Sequence, residues 1–128
     1  MRSPWLALCG ANGFLAVAAG AFGAHALRER LASDLFEIWN TAAQYHLVHA
    51  LALGLCAWLA EARGGALPLW AGRCFTAGLL LFSGSLYALA LSGVRGLGAI
   101  TPFGGLAFLG GWLCVALAAR RAAQESAR

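Results

Sequence analysis

The chain has 128 residues, of which 61% are apolar and 11% charged, whereas about 25% of residues are charged in an ordinary soluble domain. A soluble fold of this size buries only roughly two thirds of the surface that its unfolded chain exposes, so it cannot hide this much apolar surface from water. The composition therefore predicts one membrane domain, residues 1–128. The net charge of +4 comes from arginines at the ends of apolar runs. They form no basic patch, so no nucleic-acid partner is expected.

Four apolar runs predict four membrane-spanning α-helices. The runs cover residues 5–27, 41–60, 69–92 and 101–119. A helix rises about 1.5 Å per residue, so each run is long enough to cross a hydrocarbon core of about 30 Å. Because short loops connect the runs, neighbouring helices are expected to be antiparallel. The predicted fold class is all-α, an integral membrane four-helix bundle.

The first run contains a face of small and polar residues at a spacing of four, which is typical of a contact between membrane helices. The face consists of Asn12, Ala16, Gly20 and Ala24. Arg2 before the run and the small residues at its end also resemble the features of a signal peptide. The length of the run favours a retained membrane helix instead.

The segment from His25 to Asn40 is amphipathic rather than a plain turn. Leu27, Leu31 and Leu35 share one helical face, and charged residues occupy much of the remainder. This pattern predicts a short amphipathic helix at the outer membrane surface, between the first and second spans. A helical cover packed on the bundle would give the same pattern.

The arginines predict the orientation in the membrane. Four spans place the N-terminus, the loop between the second and third runs, and the C-terminus on one side. Six arginines lie on that side, namely Arg2, Arg63, Arg73, Arg120, Arg121 and Arg128. Three lie on the other side, namely Arg28, Arg30 and Arg95. Because cytoplasmic loops carry the excess of basic residues, both termini are predicted to be cytoplasmic.

Three histidines are the main candidates for a functional site, because polar residues inside a bilayer are expensive. His46 and His49 are three residues apart on one face of the second run, and His25 ends the first run on the same side of the membrane. Gln44 and Tyr87 are expected at a similar depth. The histidines could hydrogen-bond across helices, hold a metal or haem, or bind a small lipid-like ligand. The sequence contains no HExxH or CxxC pattern that would favour the metal.

The third and fourth runs contain further candidate packing residues. Ser83 is expected to bond to the carbonyl of the preceding turn, as serines in membrane helices commonly do. No GxSxG motif accompanies it, which excludes the usual serine hydrolase arrangement. Gly104, Gly105 and Gly111 in the fourth run indicate close approach of another helix.

Four strings carry a resemblance to a known family. They are Gly20-Ala21-Phe22-Gly23-Ala24-His25, Gln44-Tyr45-His46-Leu47-Val48-His49-Ala50-Leu51-Ala52-Leu53, Phe82-Ser83-Gly84-Ser85-Leu86-Tyr87 and Leu97-Gly98-Ala99-Ile100-Thr101-Pro102-Phe103-Gly104-Gly105. In this order they resemble a family of small bacterial inner-membrane proteins named domain of unknown function 423, which has a eukaryotic relative called transmembrane protein 256. The resemblance implies four membrane helices and carries over no activity or site residues.

The function expected from these patterns is that of a non-enzymatic accessory or scaffold protein of the bacterial inner membrane. Its partners would be the lipid bilayer and either further copies of itself or another membrane protein, and no cofactor is expected. One alternative is an outer-facing site for a metal, haem or lipid-like ligand at His25, His46 and His49. The other is an oligomeric channel or transporter, although no internal repeat supports it.

Overall fold

Four helical segments in the computed structural model, which describes residues 3–128, are long and apolar enough to cross a membrane. They are the first span Trp5–Leu27, the second span Ser33–Arg63, the third span Ala66–Ser92 and the fourth span Arg95–Ser126. The described residues contain no β-strand. The all-α membrane bundle predicted from the apolar runs is therefore confirmed. Arg2, which entered the arginine count, lies outside the described residues.

Three of the spans are not regular α-helices throughout. The first span is α-helical over Trp5–Phe22 and π-helical over Gly23–Leu27. The third span is α-helical over Ala66–Gly78 and Ser85–Ser92, with a π-helical segment, Leu79–Gly84, between them. The fourth span begins with a 3₁₀ turn, Arg95–Ala99, and continues as an α-helix, Thr101–Ser126. A π-helical turn holds more residues than an α-helical turn. Each π-helical segment therefore rotates the side chains that follow it relative to those before it.

The predicted separate surface helix between the first two spans does not form. A short turn follows Leu27, and a continuous helix begins at Ser33 and runs to Arg63. No glycine or proline lies between Ser33 and the apolar run to interrupt this helix. The amphipathic segment is thus the first two turns of the second span, and its apolar face packs on the bundle through Trp39, which is buried.

The second span is the central helix of the bundle. It packs along the first span and also against the third, while the third packs along the fourth. In the most apolar stretch of each span, 56% of the residues of the second span are buried, against 11% for the first and 17% for the fourth. The first and fourth spans therefore present most of their surface outward.

The interior contains two apolar clusters, one toward each end of the bundle. The larger cluster lies toward the end that carries the termini and comprises Trp5, Ala52, Leu53, Cys56, Ala57, Ala71, Phe75, Leu79 and Phe108. The smaller cluster comprises Leu27, Trp39 and Ala90. Along the second span, His46 and His49 lie between Trp39 of one cluster and Ala52 of the other. The histidines therefore occupy a layer between the two apolar clusters.

Close contacts between the spans depend on glycines covered by aromatic rings. Trp5 lies over Gly72, Phe108 over Gly78, and Phe75 over Gly111. A Cβ atom built on Gly111 would lie 2.5 Å from the Phe75 ring, so a side chain there would displace the ring. Gly78 and Gly111 let the third and fourth spans approach closely, which is the usual role of small residues between membrane helices, whereas Gly72 makes room for the Trp5 ring of the first span.

Candidate functional site

The second span places two histidine side chains inside the bundle. Their spacing of three residues directs both toward neighbouring helices, and they are only 8% (His46) and 4% (His49) exposed. A buried imidazole needs hydrogen-bond partners, because an unpaired polar group costs free energy in an apolar environment. The partners therefore decide what these histidines can do.

His46 joins the first, second and third spans. Its Nδ1 lies 3.0 Å from the hydroxyl of Tyr87 and its Nε2 lies 3.1 Å from Oδ1 of Asn12. The amide nitrogen of Asn12 donates to the carbonyl of Leu8 at 2.9 Å, so its Oδ1 faces His46 and can only accept. Nε2 of His46 therefore carries a proton, and in the neutral imidazole Nδ1 accepts from the Tyr87 hydroxyl. The three side chains form a hydrogen-bonded series in which Tyr87 donates to His46 and His46 donates to Asn12.

His49 joins the second and fourth spans with the opposite tautomer. The indole N–H of Trp112, which can only donate, lies 3.1 Å from Nε2 of His49. Nδ1 must then carry the ring proton, and it donates to the carbonyl of Tyr45 at 2.7 Å. The Phe108 ring stacks on the imidazole, with ring centroids 3.5 Å apart and planes 8° from parallel. The hydrogen bonds therefore hold the neutral form of each histidine in one tautomer.

Both imidazoles use both nitrogens within the chain, so neither offers a free lone pair to a metal. His25 lies on the π-helical turn of the first span and is exposed. Among residues 3–128, no group of three His, Cys, Asp or Glu side chains is placed to hold a metal ion. The structure thus brings His46 together with Tyr87 and Asn12, and it does not gather His25, His46 and His49 into one site.

A shallow groove on the second span contains two of the residues that the sequence singled out for a ligand. It has a volume of about 240 Å³ and is lined by Gln44, Tyr45, Val48 and His49. Tyr45 and Val48 are 43% and 51% exposed, so the groove opens toward lipid. His46 and Tyr87 do not line it.

The residues proposed for helix packing have different surroundings. Ser83 donates to the carbonyl of Ala42 in the second span at 3.0 Å, and not to its own preceding turn as expected, because the π-helical segment turns it toward that span. Ala16 is buried, at 3% exposure. Gly104 and Gly111 lie at close helix contacts, whereas a Cβ on Gly105 would make only an ordinary contact, 3.9 Å from Phe82.

Two members of the expected contact face in the first span do not fit it. Ala24 is exposed, because the π-helical turn that begins at Gly23 rotates it away from the second span. A Cβ built on Gly20 would meet nothing within 4 Å in the chain. The contact face of the first span within the bundle keeps the expected Asn12 and Ala16 and adds Trp5.

Sequence reasoning missed several hydrogen-bonding residues. Trp112 supplies the donor to His49. Trp39 donates its indole N–H to the carbonyl of Ala19 at 2.9 Å, and Ser85 lies 2.7 Å from the hydroxyl of Thr101. The tryptophans themselves could have indicated these hydrogen bonds, because an indole N–H in apolar surroundings needs an acceptor.

The bundle and its internal hydrogen bonds define an α-helical membrane protein with four spans, and comparison with known proteins identifies its family. The family model described as "Protein of unknown function (DUF423)" matches residues 19–105, and the chain belongs to this family. The resemblance drawn from the sequence motifs is therefore confirmed.

Relatives of the chain are similar over most of its length. The UPF0382 membrane protein YwdK of Bacillus subtilis is 45% identical, with 84% of this chain and 89% of that protein covered. The UPF0382 inner membrane protein YgdD of Escherichia coli is 38% identical, covering 86% and 84%. A UPF0382 membrane protein of Haemophilus influenzae is 37% identical, covering 91% and 93%. No solved structure matches the chain. None of these names assigns an enzymatic activity.

Proposed function

We propose that this protein is a non-enzymatic scaffold or accessory protein that associates, through its first span, with a second copy of itself or with another membrane protein. The observation that carries the proposal is an outward face of the first span with small residues and no covering group. We call it the glycine face, and it consists of Gly10, Gly13, Val17, Gly20 and Ala21. At about 100° per residue these five positions lie on one side of the helix.

The three glycines of this face have no packing partner within the chain. A Cβ atom built on Gly10, Gly13 or Gly20 would meet nothing within 4 Å. This differs from Gly72, Gly78 and Gly111, which aromatic rings cover. Glycine in a helix costs up to about 1 kcal/mol relative to alanine, and lipid alone does not require it. Close approach of another helix does require small residues, so the glycine face is suited to such a contact.

The polar side chains within the bundle support a structural and not a catalytic role. His46, His49, Tyr87 and Asn12 bond to one another or to the bundle. In the part of the chain that the structure describes, the indole nitrogen of Trp5 is the only fully buried side-chain polar atom without a hydrogen-bond partner. An indole N–H is a donor and cannot serve as a base or nucleophile.

The charges support an inner-membrane location with both termini in the cytoplasm. Among residues 3–128, the end of the bundle that carries the termini has five arginines against two carboxylates, Glu61 and Glu125, and the sequence adds Arg2 before the first span. The other end has three arginines against three carboxylates, Glu29, Asp34 and Glu37. The whole net charge of +4 therefore belongs to one end, which the distribution of basic residues in membrane proteins assigns to the cytoplasm.

The proposal is tested by the oligomeric state of the full-length protein in lipid nanodiscs or mild detergent, measured by native mass spectrometry. We expect a dimer or higher oligomer, or one constant copurifying protein, and we expect Gly13→Leu to abolish that association. The matched control is Ala116→Leu, which makes a similar change at an exposed position of the fourth span. A wild-type protein that is strictly monomeric and never copurifies with a partner would overturn the proposal.

A further inference from the structure

A second feature lies at the end of the bundle that carries the termini, away from the histidines and the glycine face. There the loop between the second and third spans meets the last turns of the fourth span and forms a half-open cavity of about 130 Å³. Arg63, Ala66, Leu67, Arg121 and Glu125 contribute to its lining. We propose that this cavity binds the phosphodiester group of an anionic phospholipid from the adjacent leaflet.

The two arginines of the cavity supply its positive charge. The only salt bridge among residues 3–128 joins Asp34 and Arg95 at the opposite end of the bundle, so neither Arg63 nor Arg121 has a carboxylate partner in the described chain. Glu125 also lines the cavity but forms no ion pair with them. Guanidinium groups donate paired hydrogen bonds that match a phosphate group, and both arginines retain those donors for a ligand.

The start of the third span contributes further donors. The first N–H groups of a helix have no acceptor within the helix, and the residue before Ala66 is Gly65, which provides no side-chain cap. The N–H groups of Ala66 and Leu67 therefore remain available in the cavity that Arg63 and Arg121 also line. Gly64 and Gly65 have positive φ angles of 64° and 81°, a conformation that favours glycine. This tight reversal brings Arg63 next to the helix start.

The size and position of the cavity select the ligand class. A volume of about 130 Å³ is well below the range of roughly 300–1,000 Å³ that is typical of pockets for organic ligands, but it can hold a phosphate group. The cavity lies just beyond the ends of the apolar runs, at the level of lipid headgroups. Pro68 and Ala118 give it an apolar wall. Basic pockets between membrane helices at the cytoplasmic surface commonly bind anionic headgroups.

The test uses full-length protein in a neutral detergent, with retained lipid counted by native mass spectrometry. Dioleoyl phosphatidylglycerol is titrated against dioleoyl phosphatidylcholine, and inorganic phosphate is added as a competitor. We expect one phosphatidylglycerol molecule to be retained in preference to phosphatidylcholine. Arg63→Gln and Arg121→Gln should each weaken that binding roughly fivefold. Glu125→Gln should strengthen it, because a negative charge beside the phosphate is removed.

The matched control is Arg120→Gln, since Arg120 is the sequence neighbour of Arg121 but does not line the cavity. It should leave phosphatidylglycerol binding unchanged. An equal loss with Arg120→Gln would show attraction to the general surface charge and overturn the proposal, as would equal retention of the two lipids. If inorganic phosphate bound as tightly as phosphatidylglycerol and displaced it, the ligand would be a free anion and the lipid assignment would be wrong. Thermal unfolding without added lipid verifies that each variant is folded.

Discussion

Trp112 donates its indole N–H to Nε2 of His49 across 3.1 Å, joining the fourth span to the second. These two spans otherwise have few direct contacts, because the third span lies between them for most of their length. The hydrogen bond also assigns the tautomer of His49, whose other nitrogen donates to the carbonyl of Tyr45. Trp112 thus sets the tautomer of a buried imidazole on the central helix, and Phe108 of the same span stacks on that ring.

Replacing Trp112 with phenylalanine should destabilise the bundle. The substitution removes the donor and leaves Nε2 of His49 without a partner in the interior, which we expect to cost about 0.6–2 kcal/mol. The free energy of unfolding in detergent micelles or bicelles measures it. Trp58→Phe is the control, since Trp58 is 59% exposed, and it should change stability by less than about 0.5 kcal/mol. Equal effects of the two variants would contradict the assigned hydrogen bond.

The chain from Tyr87 through His46 to Asn12 predicts energetic coupling between residues that do not touch. Tyr87→Phe removes the donor to His46, and Asn12→Ala removes the acceptor on the opposite side of the ring. In a double-mutant cycle on the free energy of unfolding, we expect a coupling of about 0.5–1 kcal/mol, because both partners hold one imidazole tautomer. In His46→Phe protein this coupling should vanish. Strict additivity in the wild-type background would refute the directed chain.

Gly104 and Gly105 are adjacent yet should respond oppositely to alanine. A Cβ on Gly104 would collide with the backbone nitrogen of Phe82 and lie 2.7 Å from the carbonyl carbon of Leu81. Backbone atoms cannot rotate away, so Gly104→Ala should force the third and fourth spans apart and cost about 1–3 kcal/mol. A Cβ on Gly105 would lie 3.9 Å from the Phe82 ring.

Gly105→Ala is therefore the control for Gly104→Ala, and it should be neutral or slightly stabilising, since alanine is the better helix former. Thermal unfolding of the purified proteins compares the two variants directly. A loss of stability with Gly105→Ala as large as that with Gly104→Ala would mean that the contact between the third and fourth spans is not where the structure places it.

The ion pair between Arg95 and Asp34 should contribute little to stability. It joins the 3₁₀ turn at the start of the fourth span to the start of the second span, but its side chains are 64% and 53% exposed. Exposed pairs are typically worth about 0–1 kcal/mol and are screened by salt. Arg95→Gln should lower the free energy of unfolding by no more than about 1 kcal/mol, and roughly 1 M salt should remove most of that difference. A larger effect that persists in salt would point to an additional role for Arg95.

The apolar runs predicted the number of spans and the start of the first one, because membrane crossing depends on length and hydropathy. The ends of the other helices were less predictable. The second span begins at Ser33, not residue 41, and the fourth extends to Ser126, beyond residue 119. A helix continues past the hydrocarbon core wherever no residue breaks it. Hydropathy marks the core of the membrane, and the helix itself ends further on.

The rotation of each helix about its axis was the part that the sequence could not provide. Spacing placed His46 and His49 on one face, but it did not say that His46 meets Tyr87 while His49 meets Trp112. The two π-helical segments, Gly23–Leu27 and Leu79–Gly84, rotate His25 outward and Ser83 inward. No residue pattern in those segments predicts a π-helical turn, so the positions of His25 and Ser83 could be known only from the structure.

The central claim, that the first span contacts another membrane protein through its outward face, is tested most directly by photocrosslinking in intact cells. The photoreactive amino acid p-benzoylphenylalanine replaces Phe14, which is 75% exposed beside the glycine face, or Phe103, which is 66% exposed on the fourth span. The account predicts a discrete adduct at position 14, with the mass of two copies or of one constant partner, and none at position 103. No adduct at position 14, or an adduct only at position 103, would contradict it.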